Sequence, residues 1–296
     1  MRTAVALALA LSALQGCVST QAALYAATQA ERIQPRKLIN LGAHLSESSG
    51  LAAVGRELWT MNDSGGAAQL IALDLSGERS RTVSLKGATN FDWEALAQSD
   101  DTLYIVDCGN NRGDRIWLQL YAVPLQQLSA SSATATRIDF RWGDVEYAVD
   151  RRAHNNDCEA AAWVEDELWL LTKNWQDQAT RLYRMRPGAG GQHLQSSEQY
   201  AVGGLITGAD YSVEHQMLAL LGYGKGLQML QPFIWLVPVV DKGPSWSQAK
   251  RYLLGASGQW EAISWQGDSL LISSEESVLG GAQVAQLSLP FGALSH

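Results

Sequence analysis

Trp93-Glu94-Ala95-Leu96-Ala97, followed by Thr102-Leu103-Tyr104-Ile105-Val106, is the clearest copy of a unit that recurs along this chain. In each copy an acidic residue stands beside small residues, and a short apolar segment begins about ten residues later. The acids are about 50 residues apart, a period typical of an array of equivalent supersecondary units. The other acidic segments are Glu47-Ser48-Ser49-Gly50-Leu51, Cys158-Glu159-Ala160-Ala161-Ala162, Ala209-Asp210-Tyr211-Ser212 and Trp260-Glu261-Ala262-Ile263-Ser264.

Each copy contains the pattern of four strands. The apolar segment is followed by a polar or glycine-rich turn, by a third segment of alternating pattern, and by a fourth segment before the next acid. The fourth segments are Arg81 to Leu85, Arg137 to Trp142, Gln199 to Val202 and Lys250 to Leu254. The last copy has no fourth segment, but residues 36–41 form a spare strand ahead of the first acid.

Four-stranded units repeated in this way predict an all-β fold, a single β-propeller over residues 36–296. We count five blades, with the N-terminal strand completing the last one. Such closure removes an exposed sheet edge, which is otherwise prone to aggregate. A sixth blade hidden in the long second copy is the alternative, but residues 125–135 are rich in Ser, Ala and Thr and leave no room for four strands.

The N-terminus has the pattern of a targeting signal. Arg2 precedes an apolar run, and Leu14-Gln15-Gly16-Cys17 resembles a bacterial lipobox. The run is too short to cross a bilayer as a helix, so residues 1–16 are predicted to be a cleaved lipoprotein signal peptide, with an ordinary signal peptide as the alternative. Cys17 would carry the acyl chains, palmitate among them, and anchor the chain in the membrane through residues 17–35 as a tether. Val18 favours the outer membrane, facing the periplasm.

Charge and cysteine content narrow the function further. The net charge is −8 and no basic stripe is present, which argues against a nucleic-acid partner. With Cys17 assigned to the lipobox, Cys108 and Cys158 remain as a pair in an oxidising compartment. A disulfide between them is predicted to stabilise the fold by roughly 3–4 kcal/mol. Two buried free thiols are the alternative.

The repeated acids are the main candidates for a functional site. In a propeller the first strand of each blade lines the central axis, so the acids should ring one mouth of the channel. The turn after the second strand returns to that mouth and adds further polar side chains. The candidate metal ligands are Glu47, Glu94, Asp107, Asn110, Glu159, Asn174, Asp210 and Glu261.

Several carboxylates in one narrow mouth raise one another's pKa and need compensation. A hard cation such as Ca²⁺, pairing with Lys173 or Arg112, and backbone N–H donors are all expected to contribute. Two other roles stay open for the acids. They could only cap neighbouring strands, or they could form a catalytic site with Asp107 as the candidate base.

These segments carry a family resemblance. Glu47-Ser48-Ser49-Gly50-Leu51, Asn62-Asp63-Ser64-Gly65, Asp92-Trp93-Glu94-Ala95 and the run from Asp107 to Arg112 together resemble envelope propellers of bacteria of the SdiA-regulated or esterase-like phytase type. More distantly, the chain is similar to calcium-dependent lactonases of the gluconolactonase and paraoxonase type.

In the lactonases, a glutamate that opens an inner strand helps to hold a central Ca²⁺. The resemblance assigns that role to Glu47 here, with Glu94, Asn110 and Asn174 as the nearest matches for the other ligands. Those lactonases have six blades, whereas this sequence predicts five, which weakens the transfer of their chemistry.

Two functions follow as hypotheses. The first is a binding or scaffold lipoprotein of the envelope, with Ca²⁺ as a candidate ligand of the acids, whose partner is a protein, a glycan or a small molecule. Trp93, Trp175 and Trp260 lie near the acids in sequence and are candidates for stacking on sugar; packing between blades, the commoner use of tryptophan in such a fold, is the alternative. The second is a metal-dependent hydrolase of lactones, esters or phosphate esters, in which the ion polarises the substrate and Asp107 acts as base.

Overall fold

A computed structural model of the chain describes residues 31–74, 80–147, 153–188, 190–224 and 231–290. The predicted signal peptide, Cys17 and most of the predicted tether lie outside the described residues. The described part consists of β-strands, turns and short 3₁₀ segments. None of its helical segments has the length and apolar character that crossing a membrane requires.

The strands form five sheets, which are the five blades of a β-propeller. The first blade holds β3 (Ser48–Val54), β4 (Glu57–Asn62), β5 (Gln69–Leu73) and β6 (Ser80–Lys86). The second holds β7 (Trp93–Gln98), β8 (Thr102–Asp107), β9 (Leu118–Pro124) and β11 (Thr136–Trp142). The third holds β12 (Asp157–Val164), β13 (Glu167–Lys173), β14 (Thr180–Met185) and β16 (Ser196–Tyr200). The fourth holds β17 (Leu205–Ser212), β18 (Met217–Tyr223), β19 (Pro232–Val240) and β21 (Lys250–Leu254).

The last blade is closed by the N-terminal segment, as the sequence predicts. It holds β22 (Trp260–Gln266), β23 (Ser269–Ser274), β24 (Gln283–Ser288) and β2 (Arg36–Asn40). Strand β2 runs antiparallel to β24, with Arg36 opposite Gln286. The first and last parts of the described chain therefore share one sheet.

Short outer strands extend three of the blades. Strand β1 (Glu31–Ile33), in the segment assigned to the tether, pairs in parallel with β21. Strand β10 (Ser132–Thr134), in the segment expected to be a linker, pairs with β6 of the preceding blade. Strand β15 (Gln192–Leu194) likewise pairs with β11, and β20 (Gly243–Pro244) extends β19. Strands β10 and β15 thus tie neighbouring blades together by backbone hydrogen bonds.

The inner strands β3, β7, β12, β17 and β22 pack side by side around the axis. Their close approach explains the small residues of the repeat. A Cβ atom on Gly208 would lie 3.1 Å from the Cα atom of Ala262 on the neighbouring inner strand. Any larger side chain at such a position would push the inner strands apart.

Large apolar side chains fill the spaces between blades. Trp93 is 0% exposed and Trp260 is 1% exposed, and each belongs to a cluster of apolar residues from neighbouring sheets. Trp175 is also buried, and its indole N–H donates to Asp157 Oδ2. None of the three rings is available to stack on a sugar. Of the two roles that the sequence left open for these tryptophans, the burial supports packing between blades and not stacking on a sugar.

Candidate acidic site at the channel mouth

A β-bulge opens every inner strand at the same mouth of the channel. The pairing register slips by one residue there, so one residue per blade is unpaired. A bulge re-aims the side chain of its extra residue. The five bulge residues are Ser49, Glu94, Glu159, Thr207 and Glu261. Three members of the predicted ring therefore occupy equivalent places.

The other two bulge residues are hydroxyls rather than acids. The Ser49 hydroxyl donates to the carbonyl oxygen of Trp93 at 2.8 Å, and the Thr207 hydroxyl donates to that of Trp260 at 2.8 Å. Each hydroxyl thus bonds its inner strand to the next one around the ring. Sequence alignment on the acids missed this role, whereas alignment on the glycine that follows each hydroxyl, as Gly50 follows Ser49, would have found it.

Asp63, Asp92 and Glu94 form a compact carboxylate cluster, which we call the acidic cluster. One carboxylate oxygen from each residue lies within 4.8 Å of the oxygens from the other two. Asp63 follows β4, and the other two open β7, where the Trp93 N–H donates to the Asp63 carbonyl oxygen at 3.4 Å. Only Glu94 was among the predicted metal ligands. The sequence signal for Asp92 was its position two residues before Glu94, on the same side of a strand.

The acidic cluster is poorly solvated. Burial, reinforced by Asp92, raises the pKa of Asp63 to about 7. Burial also raises the pKa of Glu94 well above its usual value, and the nearby carboxylates of Glu159 and Asp63 raise it further. The Oδ1 atom of Asp63 is buried and lacks a hydrogen-bond partner among the described residues. The described groups therefore do not compensate these carboxylates in their ionised form, and either protons or a cation must neutralise them.

Gly109 gives the acidic cluster its space. A Cβ atom at this position would lie 2.3 Å from Glu94 Oε1 and 2.4 Å from Asp92 Oδ2. Any side chain at position 109 would displace these two carboxylates from their present positions. A cradle of closely spaced carboxylate oxygens, one of them unpartnered, fits a hard cation such as Ca²⁺.

Lys173 neutralises the other side of the mouth. Its Nζ atom lies 2.8 Å from Glu159 Oε2, and both side chains are buried. Burial alone would lower the pKa of Lys173, but the adjoining carboxylates of Glu159 and Glu261 and the Tyr223 hydroxyl raise it well above its usual value. The predicted pairing of Lys173 with the repeat acids is thus present in the structure.

Glu261 and Glu275 complete the mouth beside Lys173. Burial raises the pKa of Glu261, and Lys173 opposes that shift. Burial and the charge of Glu261 raise the pKa of Glu275 to about 8. The Oε2 atom of Glu261, a residue 6% exposed, has no hydrogen-bond partner among the described residues. A single lysine does not compensate this many carboxylates.

Asp107 is a strand cap in this structure. Its carboxylate accepts the backbone N–H groups of Phe91 and Asp92, each at 3.2 Å, and the Arg115 guanidinium at 2.7 Å. It is 0% exposed. Asp157 has a similar role, because its carboxylate accepts the Asn110 N–H and the Trp175 indole N–H, each at 2.7 Å.

Four further sequence candidates are not members of the acidic cluster, although the Asp63 N–H donates to the Glu47 carbonyl oxygen at 2.9 Å. The Asn110 amide is bonded to the backbone of Arg115, and the Asn174 amide donates to Asp177. Glu47 is exposed, two residues ahead of Ser49. Asp210 follows the Thr207 bulge by three residues and lines a cavity of about 270 Å³ at the other end of the inner strands. The structure does not bring these four together with Glu94.

The predicted disulfide between Cys108 and Cys158 is present, with a Cα–Cα distance of 5.3 Å. It joins the turn after β8 to the first residues of β12. Cys108 precedes Gly109, and Cys158 precedes Glu159, so the bond fixes both sides of the mouth relative to each other.

No family model and no curated relative matches the chain. Among solved structures, the fold is similar to glutaminyl cyclase of Myxococcus xanthus, with a TM-score of 0.51 and 9% identity over 88% of this chain and 100% of that one. The luciferin-regenerating enzyme has a TM-score of 0.48 and 9% identity over 87% and 95%. The calcium-binding protein regucalcin of Agrobacterium tumefaciens has a TM-score of 0.45 and 13% identity over 88% and 97%. At such identities the likeness concerns the β-propeller fold alone.

Proposed function

We propose that this chain is a binding protein whose channel mouth holds a Ca²⁺ ion on Asp63, Asp92 and Glu94. The observation that carries the proposal is that each residue brings one carboxylate oxygen to within 4.8 Å of the oxygens from the other two. Ca²⁺ takes six to eight oxygen ligands, and carboxylates are its preferred protein donors. When bound, the ion would replace the protons that otherwise neutralise Asp63 and Glu94.

The chain's own residues account for why the ion belongs on this side of the mouth. Glu159 already has a partner in Lys173 at 2.8 Å. Asp107 and Asp157 have backbone and side-chain donors. The acidic cluster has no comparable cation in contact among the described residues, and Gly109 keeps its oxygens close together. Capping therefore accounts for some acids of the mouth, and Ca²⁺ binding for the cluster.

A binding role is favoured over the metal-dependent hydrolase. The hydrolase needs a base beside the ion, and Asp107 was the candidate. Both oxygens of Asp107 are engaged by N–H donors and by Arg115, and the side chain is 0% exposed. A carboxylate held in this way positions the turn that carries Asp92 and is poorly suited to take a proton from a substrate.

The cation site is tested by thermal melting in EDTA and in millimolar Ca²⁺, with Glu94→Gln as the key variant. An ion that binds only the folded state raises the melting temperature of the wild type. Glu94→Gln removes a buried carboxylate that is costly to ionise, so in EDTA the variant should melt at or above the wild-type temperature. It should also lose the response to Ca²⁺. Asp166→Asn, an exposed carboxylate outside the mouth, is the matched control and should keep the response.

The opposite pattern would identify a purely architectural role. If Glu94→Gln melts lower in EDTA and Ca²⁺ leaves the wild type unchanged, the carboxylate acts as a structural acceptor and the proposal fails. Because Ca²⁺ must displace protons held on Asp63 and Glu94, its affinity in calorimetry should also rise between pH 6 and pH 8.

The cellular setting forms a second part of the proposal. We place the chain at the bacterial envelope, anchored by acyl chains on Cys17 and facing the periplasm from the outer membrane. The support is the sequence Leu14-Gln15-Gly16-Cys17 after an apolar run. Mass spectrometry of the purified protein should show an acylated N-terminal Cys17, and Cys17→Ser should move the chain to the soluble fraction. An unmodified Cys17 would overturn this assignment without affecting the cation site.

A further inference from the structure

A groove of about 750 Å³ opens beside the acidic cluster on the second blade, and we call it the Phe91–Trp117 groove. Phe91 is 57% exposed and Trp117 is 43% exposed, although both are large apolar side chains. Asp92 belongs both to this groove and to the acidic cluster. The volume falls within the roughly 300–1,000 Å³ typical of small-ligand sites.

A hydrogen-bond network built on the buried Asp107 and the partly buried Arg115 holds the two aromatic residues in place. The Phe91 N–H donates to Asp107 Oδ2 at 3.2 Å. The Arg115 Nη2 atom donates to Asp107 Oδ1 at 2.7 Å and to Gln119 Oε1 at 2.9 Å. The Gln119 amide then donates to the Trp117 carbonyl oxygen at 3.3 Å. The backbones of both aromatic residues are therefore fixed by one connected set of polar groups.

The Trp117 ring is also supported directly. The Arg141 guanidinium lies 5.6 Å from its centroid, and the His193 ring lies 5.7 Å away. Two ring atoms of Trp117 pack so closely on Gly191 that a Cβ atom there would come within 2.9 Å of them. A ring that is held so firmly and still 43% exposed is pre-organised to meet a ligand.

The charges of the groove are nearly balanced. Arg115 pairs with Asp107, and Arg137 pairs with Asp139 at 2.6 Å. The exposed Arg112 shares the groove with acidic side chains, Asp92 among them. Such a groove favours neither a polyanion nor a cation.

Aromatic faces next to amide and guanidinium donors match the chemistry of a sugar. The C–H face of a pyranose ring packs on an aromatic ring, while its hydroxyls bond with planar polar side chains such as Asn111 and Arg112. We propose that the Phe91–Trp117 groove binds a neutral oligosaccharide. The two aromatic rings, Asn111 and Arg112 are not members of the acidic cluster, so binding of the sugar is expected with and without Ca²⁺, although Asp92 borders both sites.

The test uses the purified protein on an array of neutral oligosaccharides that includes chitotetraose, cellotetraose and maltotetraose. Isothermal titration calorimetry and tryptophan fluorescence then follow the binder in EDTA and in Ca²⁺. Wild type should bind saturably in both conditions. Trp117→Ala and Phe91→Ala should each weaken binding by about tenfold, because each loses about 1.4 kcal/mol of stacking and contact. Val213→Ala, 74% exposed at the other end of the channel, is the control and should bind as the wild type does.

Three results would overturn the proposal. The first is absence of saturable binding to every oligosaccharide of the array by wild type. The second is binding that survives both aromatic substitutions. The third is binding of an acidic peptide by the groove with no response to sugars. An unchanged circular dichroism spectrum shows that each variant is folded, and a retained Ca²⁺-induced melting shift separates failure of the groove from failure of the cation site.

Discussion

Replacing Lys173 by methionine tests whether the charge of Lys173 stabilises the buried carboxylate of Glu159 at the channel mouth. The Lys173 Nζ atom lies 2.8 Å from Glu159 Oε2, with side-chain exposures of 6% and 4%. Methionine keeps much of the volume and removes the charge. The substitution leaves Glu159 buried without its cation, close enough to Asp157 and Glu261 for their charges to repel it.

The expected magnitude follows from this burial. Removing one partner of a buried ion pair typically costs 3–5 kcal/mol, because the other charge stays desolvated and unpaired. Lys173→Met should therefore lower the free energy of unfolding by about 3–5 kcal/mol at pH 7. Adding Glu159→Gln removes the stranded carboxylate, so the double variant should recover much of that loss.

Urea denaturation in EDTA of the wild type, Lys173→Met, Glu159→Gln and the double variant measures the Lys173–Glu159 interaction as a double-mutant cycle. A coupling free energy of about 2 kcal/mol or more is expected. Lys242→Met is the matched control, because Lys242 pairs with Glu165 at 3.3 Å while its side chain is 70% exposed. Surface pairs contribute little, so this control should change stability by less than about 1 kcal/mol.

A cycle with coupling near zero would refute the reasoning. It would show that Glu159 is protonated and uncharged beside Lys173, and that the mouth keeps its acids neutral by holding protons. The same conclusion would follow if Lys173→Met and Lys242→Met lowered the free energy of unfolding by the same small amount.

Three further outcomes are expected. Gly109→Ala should weaken Ca²⁺ binding in calorimetry, because the new methyl group occupies the space of the Glu94 and Asp92 carboxylates; unchanged affinity would place the ion elsewhere. Burial raises the pKa of Asp210 from 3.8 to about 6. The folded protein therefore keeps this proton to a higher pH than the unfolded chain does, and the free energy of unfolding should fall by up to about 3 kcal/mol between pH 4 and pH 6. Asp210→Asn should flatten that part of the pH profile in urea melts, and an identical slope would contradict the assignment. Replacing Cys108 and Cys158 together by serine should cost about 4 kcal/mol in urea melts without reductant, since the disulfide closes a loop between residues 50 positions apart. A reductant that destabilises wild type and variant equally would argue against that account.

Periodicity was sufficient to predict the architecture. Each blade must bury both faces of its sheet against its neighbours, so the same apolar segments recur in each copy. The spare strand at 36–41 had to pair with the incomplete last copy, because an open edge is unfavourable. Strand β21 spans Lys250–Leu254, the same residues as the predicted segment. The short outer strands such as β10 were missed, because three paired residues leave no periodic signal.

The register of the acids was harder to predict. Glu47 and Asp210 lie within three residues of the bulge positions of their blades and were aligned with Glu94 on the basis of charge. A bulge moves every following side chain to the opposite face of the strand. An error of one or two residues in the alignment therefore assigns the wrong side chain to the channel mouth. Ser49 and Thr207 hold the equivalent places, and no acidic residue marks them in the sequence.

The sequence by itself determined the five-bladed ring, its closure, the disulfide pair and the concentration of acids at one mouth, because repeated burial and pairing requirements leave a periodic record. Only the tertiary structure decided which acids meet. Asp63 and Asp92 come from different blades, and the glycine that admits their cluster, Gly109, comes from a third segment. The tertiary structure also distinguished acids that cap strands, such as Asp107, from acids with an oxygen that lacks a hydrogen-bond partner among the described residues, such as Asp63. A carboxylate's role depends on the donors within about 3 Å of it, and those donors come from residues that are remote in sequence.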